Sequence, residues 1–283
     1  MSIVSFRNIL TEADNKGYAV GAFNISDLET VRAILEGAEL EDSPVIIQIW
    51  EGIFDYVSAD KLVPFTRNLI EKSSVPAALH LDHATTYSGI KEVIDTGFNS
   101  VMIDVSDKSI DENIQITRKV VEMARKHDVE VEAELGHVGS GTDSPEAGGK
   151  ELLTNPEDAE VFVNKTGIDA LAVAVGTAHG LYNQEPSLDF ERLKELKERI
   201  PMPFVLHGGS DTPNEGIQEC IRLGINKINV ATDLNVAFLD KLKRIICDEV
   251  SPHFPLVIMD PARREVTKVV REKIKLFGSS HQA

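Results

Sequence analysis

The chain has 283 residues, 42% of them hydrophobic and 27% charged, which excludes a disordered or fibrous protein. That length holds enough apolar material for one large α/β domain or two small ones. The formal net charge of −17 argues against binding nucleic acid through a basic surface, and an anion site must bring its own positive potential.

The N-terminal stretch MSIVSFRNILTEAD has no basic segment leading into an apolar core, so it does not read as a signal peptide. No apolar run approaches the roughly 20 residues that span a bilayer. The two cysteines, Cys220 and Cys247, show no CxxC spacing, which disfavours a disulfide framework or a cysteine zinc site. The expected compartment is the cytoplasm, with no membrane and no nucleic acid among the partners.

Short β-branched runs then alternate with amphipathic helical stretches. The expected strands are residues 19–25 (AVGAFNI), 44–50 (PVIIQIW), 77–82 (AALHLD) and 100–105 (SVMIDV), followed by 129–135 (VEVEAEL), 170–176 (ALAVAVG), 203–207 (PFVLH) and 227–231 (KINVA). Helical patterns fall at 28–40, 61–72, 112–126, 156–165 and 190–199, and Asn155-Pro156 marks a helix start. Strands alternating with long helices imply a parallel sheet with right-handed crossovers. Eight βα units predict a single TIM (β/α)8 barrel over residues 1–283, with residues 262–277 as an additional C-terminal helix. A doubly wound open sheet is the alternative, but Gly21-Ala22-Phe23-Asn24 is not a dinucleotide loop. Residues 136–153 (GHVGSGTDSPEAGGKELL) are Gly-rich and aperiodic, and in a barrel they sit at the active-site end.

Barrel sites are built where strands end. Here those ends carry His80-Leu81-Asp82-His83, Asp104, Glu134, His179-Gly180, His207-Gly208-Gly209-Ser210 and Asn229–Asp233. Each histidine alone reads as a surface or satisfied buried residue. Together, His83, His179 and His207 could make a three-nitrogen zinc site with one open position. Asp82 is either a general base or a carboxylate that orients a ligating histidine. Glu130, Glu132 and Glu134 share one face of the fifth strand, and Glu132 and Glu134 are the better site candidates. The Gly- and Ser-bearing turns after strands six to eight suit a phosphate, or are ordinary βα turns.

HLDHA, VEAELG, GTAHG, LHGGS and KINVAT, in this order, resemble the class II metal-dependent ketose-bisphosphate aldolases, most closely the tagatose- and fructose-bisphosphate branch. The resemblance covers the whole chain. It implies that His83, His179 and His207 bind a catalytic Zn2+, with Asp104 and Glu134 as assisting or alternate ligands. It implies that Asp82 is the acid/base on the dihydroxyacetone phosphate half. Gly180, Gly208, Gly209, Ser210, Asn229, Val230, Ala231 and Thr232 would hold phosphate and ketone, with Asn24 as a substrate asparagine. A monovalent cation (Na+ or K+) near the phosphate turns and a homodimer or homotetramer are also implied. The implied reaction is reversible cleavage of a ketose phosphate to dihydroxyacetone phosphate and an aldehyde. The sixth strand has no lysine for an imine, and Lys227 is the nearest substitute.

The chain departs from this pattern on the aldehyde side. Where many relatives carry GGEED, it reads Gly139-Ser140-Gly141-Thr142-Asp143, leaving Asp143 or Glu146 as replacements for the absent glutamate. Strand two ends in Trp50 rather than a small residue, either reshaping the aldehyde pocket or packing under the N-terminal segment. Arg263 and Arg264 are exposed helix charges or, across a subunit contact, ligands for a second phosphate. The expectation is a retained dihydroxyacetone phosphate half and an altered aldehyde half. The competing readings are a sugar-phosphate epimerase or isomerase using the same chemistry, and a silent sugar-phosphate-binding protein.

Overall fold

The computed structural model describes residues 3–139, 153–182, 186–247 and 254–283. The chain runs α1 (Phe6–Lys16), β1 (Val20–Asn24), α2 (Leu28–Leu40), β2 (Val45–Trp50), α3 (Ala59–Glu71), β3 (Ala77–Ala84), α4 (Tyr87–Val93), β4 (Ser100–Ile103) and α5 (Ile110–Ala124). It continues with β5 (Glu130–Leu135), α6 (Pro156–Thr166), β6 (Ala170–Val173), α7 (Phe190–Arg199), β7 (Phe204–Leu206), α8 (Asn214–Arg222), β8 (Ile225–Val230), α9 (Thr232–Cys247) and α10 (Pro255–Phe277). A 3-10 turn over Glu51–Asp55 follows β2. The strands pair in parallel and in sequence order, and β8 closes onto β1. This is the expected TIM barrel, with α10 as its additional helix. Among the described residues no helix is long and apolar enough to cross a membrane.

The period-2 geometry of a strand explains how the barrel sets its layers. One set of strand residues, such as Phe23, Ile47, Leu79 and Val101, packs outward against the helices. The alternate set packs inward, beginning with an apolar floor of Val20, Ile46, Ala78, Met102 and Val205. Two or four residues further along the same inward rows come Asn24, Gln48, Asp82, Asp104 and His207, with Glu134 and Asn229 on the inward rows of β5 and β8. Floor and site are thus successive layers of one pattern.

The floor is sealed by α1, which the sequence reading does not contain. Ser5 caps this helix by accepting from the backbone N–H of Asn8, and Phe6, Ile9, Leu10 and Ala13 bury one face into the barrel. Glu130, at the half-buried start of β5, accepts from Ser5 Oγ at 2.6 Å and from the Arg7 backbone N–H at 3.0 Å, clamping the plug in place. Phe6 is fully buried and stacks on the His80 ring, with centroids 5.0 Å apart. We expect Phe6→Ala to cost about 3–5 kcal/mol of stability in denaturant unfolding. A loss below about 1 kcal/mol would show that α1 is not a structural plug.

Several boundaries differ from the sequence reading, three of them for reasons that the local structure shows. β8 begins at Ile225, two residues early, because buried Asn226 turns its side-chain oxygen to the Phe204 backbone N–H. β6 ends at Val173, because the Thr154 hydroxyl takes the Ala174 N–H out of the ladder. α10 begins at Pro255, seven residues before the expected start, with Pro in its first turn.

Candidate active site

Asp82 and His83 are neighbours on one strand, so ordinary pleating would send them to opposite faces. The register between β3 and β4 shifts between Leu81 and Ala84, and His83 sits at φ 50°, in the left-handed region. This irregularity turns both side chains to the barrel mouth, a conformation that costs energy and is found at functional sites. His207 directly follows β7. His179 lies in the loop after β6, where its backbone N–H donates to Gly139 O at 2.8 Å. That loop is tied to the β7 loop by Tyr182, whose hydroxyl accepts from the Ala178 N–H at 2.8 Å and donates to Gly208 O at 3.2 Å. Gly208 is required there: a Cβ would lie 2.3 Å from Ala178 O, and its φ is +70°.

Three imidazoles therefore converge. His83 Nε2 and His207 Nδ1 are 2.9 Å apart, and the ring centroids of His83 and His179 are 4.9 Å apart. One nitrogen from each of the three lies within 4.8 Å of the others, and His179 Nε2 is buried with no hydrogen-bond partner. A second set, His83, Asp104 and Glu134, meets the same criterion. Outer carboxylates orient the rings. Asp104 Oδ2 lies 2.8 Å from His83 Nδ1, while its Oδ1 accepts from the Ser106 hydroxyl at 2.8 Å and backbone N–H at 3.1 Å. Glu132 Oε1 lies 3.0 Å from His207 Nε2. Each carboxylate turns the opposite ring nitrogen inward, the arrangement that supports ligating histidines. Three nitrogen donors with an open side fit a borderline-soft divalent cation such as zinc.

Asp82 lines the same mouth and is only 4% exposed. Its Oδ2 accepts from Asn24 Nδ2 at 2.8 Å, and its Oδ1 accepts from Asn229 Nδ2 at 3.3 Å. Gln48 Nε2 donates to Asn24 Oδ1 at 3.0 Å, fixing the amide that faces Asp82.

The site's charges are strongly biased. Burial would raise the Asp82 pKa, but His83, Lys227, His207 and the Asn24 hydrogen bond hold it below the ordinary carboxylate value. Burial would lower His83, but Asp82, Asp104 and Glu134 push it up to about 9. Burial would raise Asp104, but the hydrogen bonds from His83 and Ser106 hold it well down. Burial, with Asp104 nearby, pushes Glu134 up to about 8. Burial and the neighbouring His83 lower His179 to about 4 and hold His207 well below the usual range. The carboxylates around His83 thus favour positive charge there, which a bound cation would supply in place of the His83 proton, while His179 and His207 stay neutral, as ligation by their nitrogens needs.

Below the histidines, fully buried Lys227 pairs with Glu132 at 2.8 Å, and His80 Nε2 lies 3.6 Å from the same carboxylate. The sequence reading names Glu132 as a site candidate but misses its pairing with Lys227 and its place behind His207. Fully buried Lys227 is absent from the cavity lining, so the imine substitute has no open face. Lys227→Met strands Glu132 and is expected to cost about 3–5 kcal/mol. Pairing it with Glu132→Gln should recover most of that loss in denaturant unfolding. An equally large loss in the double variant would contradict the pairing.

The mouth opens into a cavity of about 760 Å³. Asn24, Asp82, His83, Asp104, His179, Gly180, Gly208, Ser210, Asn229, Ala231 and Thr232 all line it, as does Trp50. Glu134 and His207 lie deeper, buried beneath. Gly209 and Val230 are absent from the described lining: the Gly209 N–H is spent on Asn229 O, and Val230 packs outward in the core. Trp50 faces the cavity and is 55% exposed, so it is not packed under the N-terminal segment. Arg263 is not an exposed charge. It is 7% exposed and ion-paired to Glu36 and Asp260 between α10 and α2. Arg264 is exposed and pairs with Asp260 at 2.8 Å. Asp143 and Glu146 lie outside the described residues.

A family model described as "Fructose-bisphosphate aldolase class-II" matches residues 4–282. The crystal structure of the YdjI aldolase from Escherichia coli K12 is similar at 34% identity and a TM-score of 0.89, over 99% of both chains. A fructose-bisphosphate aldolase (Fba) from Campylobacter jejuni shares the fold at 24% identity and a TM-score of 0.83, over 100% of this chain and 97% of its own.

Proposed function

Because this chain belongs to the class-II fructose-bisphosphate aldolase family and is an aldolase, a carbon–carbon lyase, we propose that it reversibly cleaves a ketose phosphate to dihydroxyacetone phosphate and an aldehyde, with Asp82 moving the proton. The observation that carries this reading is the Asp82 carboxylate, held by two amides at the cavity wall beside three converging imidazoles. His83, His179 and His207 would hold Zn2+, with Asp104 and Glu134 as orienting or alternate ligands. When bound, the ion supplies a Lewis acid that polarises the ketone.

The chain's own groups do the rest. In condensation Asp82 takes the proton from C3 of dihydroxyacetone phosphate. In cleavage the C4 hydroxyl gives its proton to solvent and its oxygen forms the aldehyde C=O as the C3–C4 electron pair moves into the C2 carbonyl; the C2 carbonyl re-forms when Asp82 returns a proton to C3. Asn24 and Asn229 fix the carboxylate and face the cavity, where their amides can also hold a substrate oxygen. Gly180, Gly208, Ser210, Ala231 and Thr232 form a small, polar wall at the start of the 16-residue helix α9, where its dipole favours a phosphate. We assign no monovalent-cation site on Gly208: its carbonyl already accepts from Thr212 Oγ1 at 2.8 Å and from Tyr182.

We read the exposed apolar residues Val236, Leu239 and Ile246 of α9, with Leu256 and Val257 of α10, as surface that a second copy covers. Cytoplasmic residence suits the unpaired Cys220 and Cys247. Being an enzyme, the chain is not a silent binding protein. Product analysis tests the reaction: a ketose phosphate should yield a three-carbon ketone phosphate. An epimer or isomer with no three-carbon product would replace this reading with the isomerase.

A further inference from the structure

We propose that the aldehyde half of the substrate carries no phosphate, so that the substrate is a ketose monophosphate whose distal half is a neutral, hydroxylated aldehyde resting on Trp50. This rests on the aldolase reading above and names its substrate class.

The cavity has two unlike walls. Above β7 and β8 it is small and polar, and above β2 it is Trp50, Gly52 and Ile53, joined by Ile25 just past the end of β1. The Trp50 ring lies directly on Gly52: a Cβ there would come within 2.2–2.5 Å of three indole carbons. The indole therefore offers one broad apolar face, of the kind that packs against the C–H face of a polyhydroxy chain. The turn that carries it is anchored to the metal-side strand. Glu51 Oε2 accepts from the Thr85 backbone N–H at 3.1 Å and from its hydroxyl at 3.3 Å, two residues beyond His83.

Charge decides against a second phosphate. Among the described residues lining the main cavity, and the smaller cavity beyond Trp50, there is no Lys or Arg. The smaller cavity instead presents Glu51, Asp55 and Glu92. A dianion placed there would lose hydration, meet carboxylates and find no cation among the described lining residues, on a chain of net charge −17. Of the two arginines the sequence offers for that role, Arg263 is locked in ion pairs within its own chain and Arg264 pairs with Asp260 of its own helix. A neutral aldehyde meets none of these penalties.

The test uses the metal-loaded full chain in the condensation direction. Deuterium incorporation into dihydroxyacetone phosphate in D2O, without aldehyde, is measured first. Condensation with D-glyceraldehyde and with glyceraldehyde 3-phosphate follows. We expect exchange, and a kcat/KM at least about tenfold higher for the neutral aldehyde. Exchange with a preference for glyceraldehyde 3-phosphate overturns the inference and leaves the aldolase reading intact. No exchange removes that reading and the inference with it. Trp50→Ala should raise the KM for the neutral aldehyde about tenfold relative to the exchange rate, and Trp50→Phe should restore much of it. An unchanged KM in a folded Trp50→Ala protein overturns the assignment of Trp50.

Discussion

Asp82→Asn is expected to lower both ketose phosphate cleavage and deuterium exchange at C3 of dihydroxyacetone phosphate by about 10²–10⁴-fold, the usual worth of a positioned acid/base. The substitution keeps the side chain's shape, but an amide cannot take the proton. It also places an amide against the donors Asn24 and Asn229, and a flip of one of them restores the hydrogen bond. Metal content separates the two roles open to this residue. His83 Nε2 is 3.9 Å from Asp82 Oδ1, so a purely orienting carboxylate would show itself as weakened metal retention. A variant that keeps its metal and loses exchange identifies the base. One that keeps exchange contradicts the assignment.

The second large effect is expected from His179→Ala. The imidazole it removes ends in a nitrogen that is buried and bonded to nothing in the chain, so its loss should spare the fold. The loop itself stays pinned by Tyr182 and by the backbone bond to Gly139. Two imidazoles remain, and metal affinity should fall by more than about 100-fold, since losing an outer-sphere partner alone costs up to about that much. Cleavage at limiting metal should fall with it, while the melting temperature of the metal-free protein moves by only a few degrees. Undiminished metal binding would mean that the alternate set, His83, Asp104 and Glu134, is the true ligand group.

Much of this was legible before any coordinates. Strand and helix periodicity gave the barrel, and the rule that barrel strands end at the site picked out Asp82, His83, Asp104 and Asn229. What escaped depends on packing between distant segments. α1 has the apolar spacing Phe6, Ile9, Leu10, Ala13, but only the closed barrel floor gives that face something to bury against. Lys227 and Glu132 are 95 positions apart on different strands, and their ion pair exists only because both rows point inward. Arg263 reads as a solvated helix charge until α10 packs on α2 and meets Glu36. The bulge at His83 has no signal in residue type: two polar residues side by side at a strand end say that both are wanted at the mouth, not how the backbone turns to present them.

Metal removal and restoration test the central claim most directly. The purified chain, stripped with a chelator, should release no dihydroxyacetone phosphate from any ketose phosphate that the loaded protein cleaves. Adding Zn2+ should restore cleavage, saturating at one ion per chain. Undiminished cleavage by protein shown to contain no metal would contradict the account.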